Sequence, residues 1–579
     1  MIMKSAIYFL LLSMVIFLPA CVTSDISEKP IPHASPTREK EIDIESSASL
    51  AYYHFSLAQL YEHEGNIDSA MLEYKLALSY DKDSPSLRIN LAVVYTKKGL
   101  LQDATRECQD VIKADPEYLP ARILLGGIHS SNDNDKAAIH EYQTVIKIDP
   151  ENEEAHFFLG TLYAKVKEYE KSIASLQKVL DINHNTPIAY YYLGRVYAEI
   201  KRFKEAEKYY QNALAINPLF RNALFELGII YELQGKNDKA IGMFEQIIGV
   251  NPFNASALNR LGHLYIKQSR LDSALKLFET LKRLGSNKNV MTTIGLIYLE
   301  QKRYEEAIVE FKLILASDPG CYRARYYLAS VCEETGEHEK AIEEFTKIPL
   351  SSEFFSDSQI HIAYIHEKQK DRKKAIEVIR EAVEKKGDEV KLYTFLALLY
   401  EKEKEYLKGI ETLMAALELF PNNIEIYFNL GIMYDKAGTP EKGVESMKEV
   451  LKLDSHNANA LNYIGYTYAD MGINLDEAER LIRKASDIKP NDGYIADSLG
   501  WVYFKKGMID EAIKELKKAV RLAPKDSIIA EHLGDAYLKI SNEDQALMMY
   551  KKALSLDPDK EKLKEKIETL KKKQKRGAE

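Results

Sequence analysis

A histidine is followed directly by a glutamate at His338-Glu339 and again at His366-Glu367. On a helix such a pair opens a zinc-hydrolase motif only when a second histidine follows one turn later. Neither pair has one. His361 and His366 are five residues apart, a spacing that does not share one helix face, so no metal site is expected. Gly228 with Gly235-Lys236 approaches a phosphate-cradling loop, but the spacing is too long and Asn237 stands where a hydroxyl is required. No G-x-S-x-G nucleophile elbow occurs. Cys321 and Cys332 are eleven residues apart, about 16 Å along a helix and beyond disulfide reach. With Cys108 they read as buried free thiols. The sequence therefore offers no catalytic residue, metal or cofactor site, and the chain is read as not an enzyme.

The composition narrows the class further. The 579 residues carry 79 Lys+Arg against 88 Asp+Glu, a net charge of −9, and 46% are apolar. That excludes a disordered or collagen-like chain. Four cysteines exclude a disulfide-stapled scaffold. The mild acidity argues against nucleic acid as partner, and nothing points to a small-molecule substrate. One long apolar run, Ala6 to Leu18, excludes a polytopic membrane protein. Tyrosine is unusual, 37 against a single Trp.

A repeat accounts for that excess. From Ala51 to Lys560 the chain divides into fifteen units of 34 residues, the seventh one short and the thirteenth one long. The eighth position is always small, as at Ala58, Gly194 and Gly534. The twentieth is Ala, with Ser172, Gly409 and Gly443 as departures. Two short helices that cross closely need such residues at the contact. Tyr holds the eleventh position in twelve units and fills the space between helices. Gly65, Gly99, Gly235 and Gly507 at position fifteen permit the turn within a pair. Pro116, Pro218, Pro421 and Pro558 at position thirty-two end the second helix. A single pair cannot bury its apolar face, so neighbours must stack.

This pattern resembles the tetratricopeptide repeat across residues 51 to 560. The resemblance implies an all-α, right-handed superhelical solenoid of antiparallel pairs, helix A of each unit lining the concave side. Two stretches are expected, 51–355 and 356–560. Pro349 falls within helix B of the ninth unit, so 349–356 reads as a kink or hinge, with a merely shortened helix as the alternative. Residues 561–579 read as a basic capping helix or tail, with Leu563, Ile567 and Leu570 on one face. A polyanion-binding tail is the sharper alternative.

Lys4 and the thirteen-residue apolar run from Ala6 to Leu18 match a secretory signal. Leu18-Pro19-Ala20-Cys21 resembles the lipobox of bacterial lipoproteins. The resemblance implies removal of residues 1–20 and acylation of Cys21 with chains of the palmitate class. Two or more buried chains hold a protein firmly on a membrane. Val22 after the Cys resembles outer-membrane cargo, so a periplasm-facing lipid anchor is expected. Residues 21–50 read as a polar tether.

Positions two, five, nine and twelve of helix A should face the groove. Trp501 and Tyr466 hold position nine, Phe504 position twelve and Tyr494 position two, with Asp470, Asp497 and Asp535 nearby. Trp501 is expected to be exposed there. An exposed aromatic group rimmed by acids suits a peptide with apolar and basic residues. Phe157, Tyr191 and Phe225 at position five form a second candidate patch, packing between neighbours being the plainer reading. The stretch GYTYADMGINLDEAERLIRKASDIKPNDGYIADSLGWVYFKKG resembles the C-terminal repeats of large Gram-negative tetratricopeptide-repeat lipoproteins. One group of these tethers a carboxy-terminal-processing protease and presents peptidoglycan hydrolases to it. The expected function is thus a membrane-anchored periplasmic scaffold or adaptor for envelope proteins, a protease or cell-wall hydrolase. A component of polysaccharide or extracellular-matrix export is the alternative.

Overall fold

The computed structural model describes residues 47–285 and 287–578, with side chains to Lys573. The signal segment 1–20, Cys21 and the tether up to residue 46 lie outside the described residues. These form thirty-one helices, with no strand among them.

Helices pair head to tail, unit by unit. In the first, helix A is Ser47–His63 and helix B is Ile67–Tyr80. Helix A thus begins inside the 21–50 tether expected from the sequence. Ser47 Oγ donates to the Tyr80 carbonyl at 2.6 Å, tying the start of helix A to the end of helix B. The chain forms two compact units, Met1–Ser286 and Asn287–Glu579. The first holds seven helix pairs, ending where Gly285 caps helix B of the short seventh repeat. The second holds eight pairs and the final helix Glu561–Ala578, whose Leu563, Ile567 and Leu570 are buried.

The second compact unit runs unbroken through residue 355, so the break expected between 355 and 356 is not where the units divide. Nor does Pro349 interrupt a helix. Helix B of the ninth repeat is nine residues long, His338–Thr346, against fourteen in Tyr304–Ser317 before it. Pro349 stands past its end, in a turn whose Ser352 N–H donates to the Pro349 carbonyl at 2.9 Å. Ile348 and Phe355 are buried on either side of that turn. Proline lacks the donor a further helical turn would need, so the helix is short rather than kinked.

Three spacings build each pair. The first joins position eight to position twenty-four. A methyl on Gly194 would lie 2.6 Å from the Tyr210 ring, and one on Gly262 2.6 Å from Phe278. The small residue makes room for a large side chain of helix B. The second is the turn: position fifteen is left-handed in all fifteen repeats, from Gly65 (φ +76°) and Asp133 (φ +57°) to Ser541 (φ +60°). The third closes it, the N–H of position sixteen donating back to the carbonyl of position eleven, as from Arg202 to Tyr197 at 2.8 Å. This is the helix-ending bond that a left-handed residue permits. The position-eleven tyrosines reach back to the preceding repeat, where Gln143 Nε2 donates to Tyr163 Oη at 2.8 Å and Gln211 to Tyr231 at 3.0 Å.

Candidate partner-binding grooves

The C-terminal candidate patch lies on three successive helices A: Ala458–Met471, Gly493–Lys505 and Ser527–Lys539. Its aromatic centre is not open. Trp501 is only 9% exposed, contrary to the expectation from its position. Its indole is sandwiched: Phe504 stacks at 5.0 Å and His532, from the next repeat, at 4.0 Å. Its Nε1 donates to Asp470 Oδ1 at 3.4 Å, and Lys505 Nζ sits 5.1 Å from the indole.

The acids expected to form a rim are divided in role. Asp497 is buried, and its carboxylate meets His532 Nδ1 at 3.0 and 3.1 Å. Asp535 receives Tyr550 Oη at 2.5 Å and Lys566 Nζ at 2.7 Å. The final helix therefore already occupies this carboxylate. Asp470 remains exposed, and Tyr494 is 61% exposed. Tyr466 is half-buried, and its hydroxyl is driven above the usual range first by burial and then by Asp470, Asp497 and Asp435. Burial also raises Asp435, with Asp470 adding to it. The accessible part of the patch is thus Tyr494, Asp470 and the edge of Tyr466, over a closed Trp501 core.

The second patch is mostly packing. Phe157 and Tyr191 are buried and Phe225 half-buried. Phe157 meets Tyr192 edge-on at 5.3 Å, Tyr191 lies 5.3 Å from Phe220, and Phe225 is 5.7 Å from Phe244. The open feature beside them is Arg195, whose guanidinium lies 5.9 Å from Tyr191 and 5.5 Å from Tyr192. Sequence reasoning passed over Arg195, although position nine is a groove position. It also missed His532, whose distance of 31 residues from Trp501 is the spacing that brings neighbouring repeats together.

His361 and His366 are held in the packing between helices. His361 is held by Glu333 at 2.7 Å and the Tyr326 hydroxyl at 2.9 Å, and lies flat on Phe345. It edges a cleft of about 400 Å³ with Glu300, Tyr304 and Glu334. His366 is buried, which lowers its pKa, and Lys374 adds to that. Among the described residues no group of three metal-capable side chains is found, and no helix is long and apolar enough to cross a membrane.

Family models described as tetratricopeptide repeat match residues 51–84, 153–218, 225–289, 298–363, 356–385, 390–423, 412–445 and 530–560, and a TPR repeat model matches 500–541. Together they span well over half of the chain. The chain belongs to the tetratricopeptide-repeat family. It is therefore a repeat scaffold of the kind that binds other proteins. A similar curated protein is the TPR repeat-containing protein PA4667 of Pseudomonas aeruginosa, 44% identical over 50 residues. That match covers 9% of this chain and 8% of the relative's length. Among solved structures, MamA is 30% identical over 28% of this chain and 93% of its own, with a TM-score of 0.27. Naa15/Naa10 bound to HypK is 13% identical over 90% of this chain and 96% of its own, at 0.34. A tetratricopeptide repeat protein from Parabacteroides merdae is 18% identical over 43% and 98%, at 0.34.

Proposed function

We propose that the chain is a non-enzymatic, lipid-anchored periplasmic scaffold whose helix-A faces recruit an envelope protein to the membrane. A carboxy-terminal-processing protease or a cell-wall hydrolase is the favoured cargo. The observation that carries the reading is the C-terminal groove, where Tyr494 and Asp470 are exposed on helices A and Trp501, Phe504 and His532 form a stack beside Asp470. A preorganised aromatic surface beside an exposed carboxylate is what a peptide carrying apolar and basic residues needs. Anchoring at Cys21 would raise the local concentration of cargo without any new contact.

Two measurements test this. Radiolabelled palmitate should enter the wild-type chain and not Cys21→Ser, and the wild type should fractionate with the outer membrane. The chain should capture a protease or hydrolase of the envelope, and Tyr466→Ala/Tyr494→Ala should lose it. Trp501 is left intact because its removal would open the core. Capture that survives both substitutions moves the site elsewhere; capture of export proteins alone sinks the cargo assignment.

A further inference from the structure

Where helix B of one repeat gives way to helix A of the next, the chain makes a turn whose tip is position thirty-three. Repeats one to three put Asp83, Glu117 and Glu151 at that tip and repeat four puts Asn185 there, all exposed. The fifth and sixth repeats depart from this with Leu219, 59% exposed, and Phe253, 65% exposed. Val250, just before the second of these turns, and Leu284, at the end of helix B of the seventh repeat, are exposed as well. A single exposed apolar residue needs no explanation, but large ones on successive turns of one edge form a patch that marks a contact surface.

Charge is withdrawn from the same turns. In the second and third repeats the turn closes on a carboxylate: the Glu117 N–H donates to Asp115 Oδ1 at 3.0 Å and the Glu151 N–H to Asp149 Oδ1 at 3.2 Å. In the fifth and sixth the same bond goes to an amide, from Leu219 to Asn217 and from Phe253 to Asn251, both at 3.2 Å. The next N–H groups, of Phe220 and Asn254, donate to the Asn217 and Asn251 carbonyls at 3.0 and 3.1 Å. Pro218 and Pro252 have no N–H to satisfy. The tips therefore present Leu219 and Phe253 with their backbone donors already engaged, as a medium without water demands. Residues 247–259 carry no charge, 212–225 carry only Arg221, and 280–285 carry Lys282 and Arg283 without an acid. Arg221 and Arg283 are exposed, and Arg283 donates to Thr280 Oγ1 at 3.1 Å. An edge that is acidic in the first repeats thus becomes apolar and flanked by cations, in a chain whose net charge is −9.

We propose that this edge of the first compact unit rests on a lipid bilayer bearing anionic headgroups. Leu219 and Phe253 enter the boundary between headgroups and acyl chains, and Arg221, Lys282 and Arg283 meet the headgroups. A second copy docked two-fold on the same edge would lay these cations against their own counterparts. The surface is separate from the groove and from acylation at Cys21. A lipid anchor fixes where the chain is held, whereas this edge sets which side of the first unit lies against the membrane.

The test uses the full chain with Cys21→Ser, so that no acyl chain is attached, and a readout local to the edge. Phe253→Trp is added in that background, and the parent chain with Trp501 alone is the control. Vesicles are made of phosphatidylcholine with brominated acyl chains, with or without phosphatidylglycerol. On vesicles containing phosphatidylglycerol the added Trp should shift its emission to the blue and lose most of its intensity, while Trp501 in the control stays unchanged. Binding to neutral vesicles should be weaker by about fivefold or more, the gain that one cation brings near an anionic surface. Arg221→Gln/Arg283→Gln should shrink that preference, and Leu219→Asn, the residue type of the fourth repeat, should weaken the quenching. Unchanged thermal unfolding should show that the variants are folded. An added Trp quenched no more than Trp501 overturns the proposal. A blue shift that grows with protein concentration without lipid also overturns it and gives the edge to a second copy. Equal binding to neutral and anionic vesicles refutes the part assigned to the cations. No cargo and no acyl group is present, so these results stand whether or not palmitate labelling and cargo capture succeed.

Discussion

Trp501 and His532 lie face to face, their ring centroids 4.0 Å apart and their planes 16° from parallel. The two come from successive repeats, so the stack is a joint between helices A. Asp497 fixes the imidazole through Nδ1 at 3.0 Å. Trp501 should therefore emit as a shielded indole and resist acrylamide quenching in the folded chain. Because it is the only Trp, its emission reports on the second compact unit alone. Trp501→Ala should cost about 3–5 kcal/mol, as large-to-small changes at buried aromatics do. Urea unfolding followed by far-UV circular dichroism would measure it. A loss below about 1 kcal/mol would mean that the ring is not part of the core.

Tyr210 and Tyr550 should respond to the same substitution with opposite sign. Tyr550 Oη donates to Asp535 at 2.5 Å, so Tyr550→Phe removes a bond to a charged acceptor and should cost about 1.5–3 kcal/mol. Tyr210 Oη is buried with no partner, so Tyr210→Phe removes an unsatisfied group and should be neutral or stabilising by about 1 kcal/mol. Both rings stay in place over Gly534 and Gly194. Chemical denaturation of the two variants side by side decides the matter, and losses of equal size would refute the distinction.

These residues also show how far the sequence carried. Period, helix pairing and small contact positions followed from local chemistry, because each repeat solves the same packing problem. Gly194 is legible as a close contact; its counterpart Tyr210 is not, since the side chain at position twenty-four ranges from Cys108 through Leu, Ile and Met to Phe and Tyr. Its register puts Trp501 on the groove face and predicts an open ring. What closes it is His532 in the neighbouring repeat, and a single-repeat template carries no information about the size of a neighbour's side chain. Asp535 was read as free for the same reason, while Lys566 of the final helix reaches it at 2.7 Å. Pro349 is compatible from sequence with either a kink or a shortened helix B, and the structure takes the second, the helix stopping at Thr346.

The left-handed turn residues give a stability series. Lys167 (φ +65°) and Lys201 (φ +61°) hold the conformation that Gly507 (φ +79°) adopts without hindrance. A side chain there costs about 1–2 kcal/mol. Lys201→Gly should therefore stabilise the first compact unit by up to about 1 kcal/mol, the added freedom of the unfolded chain offsetting part of the relief. Gly507→Ala should destabilise the second by about 1–2 kcal/mol. Thermal unfolding of each variant reads both, and a Lys201→Gly variant that unfolds earlier than wild type would show that the lysine serves a contact and not the turn.

Cys108 supplies a pH test with a definite sign. Burial, helped by the neighbouring Glu107, pushes its thiol from an ordinary 9.0 up to about 12. The folded chain therefore keeps a proton that the unfolded chain releases above pH 9. The unfolded state binds fewer protons in that window, so stability falls as pH rises from about 9 to about 12. Below pH 9 both states are protonated and the contribution is fully present. Cys108→Ala should flatten that alkaline loss while costing some stability at neutral pH through lost packing. Reaction with a disulfide reagent at pH 8 separates the thiols. In a Cys21→Ser background, half-buried Cys321 should react first, and Cys108 only as fast as its surroundings open. Rapid labelling of Cys108 in the folded chain would contradict its burial in the core of the second repeat.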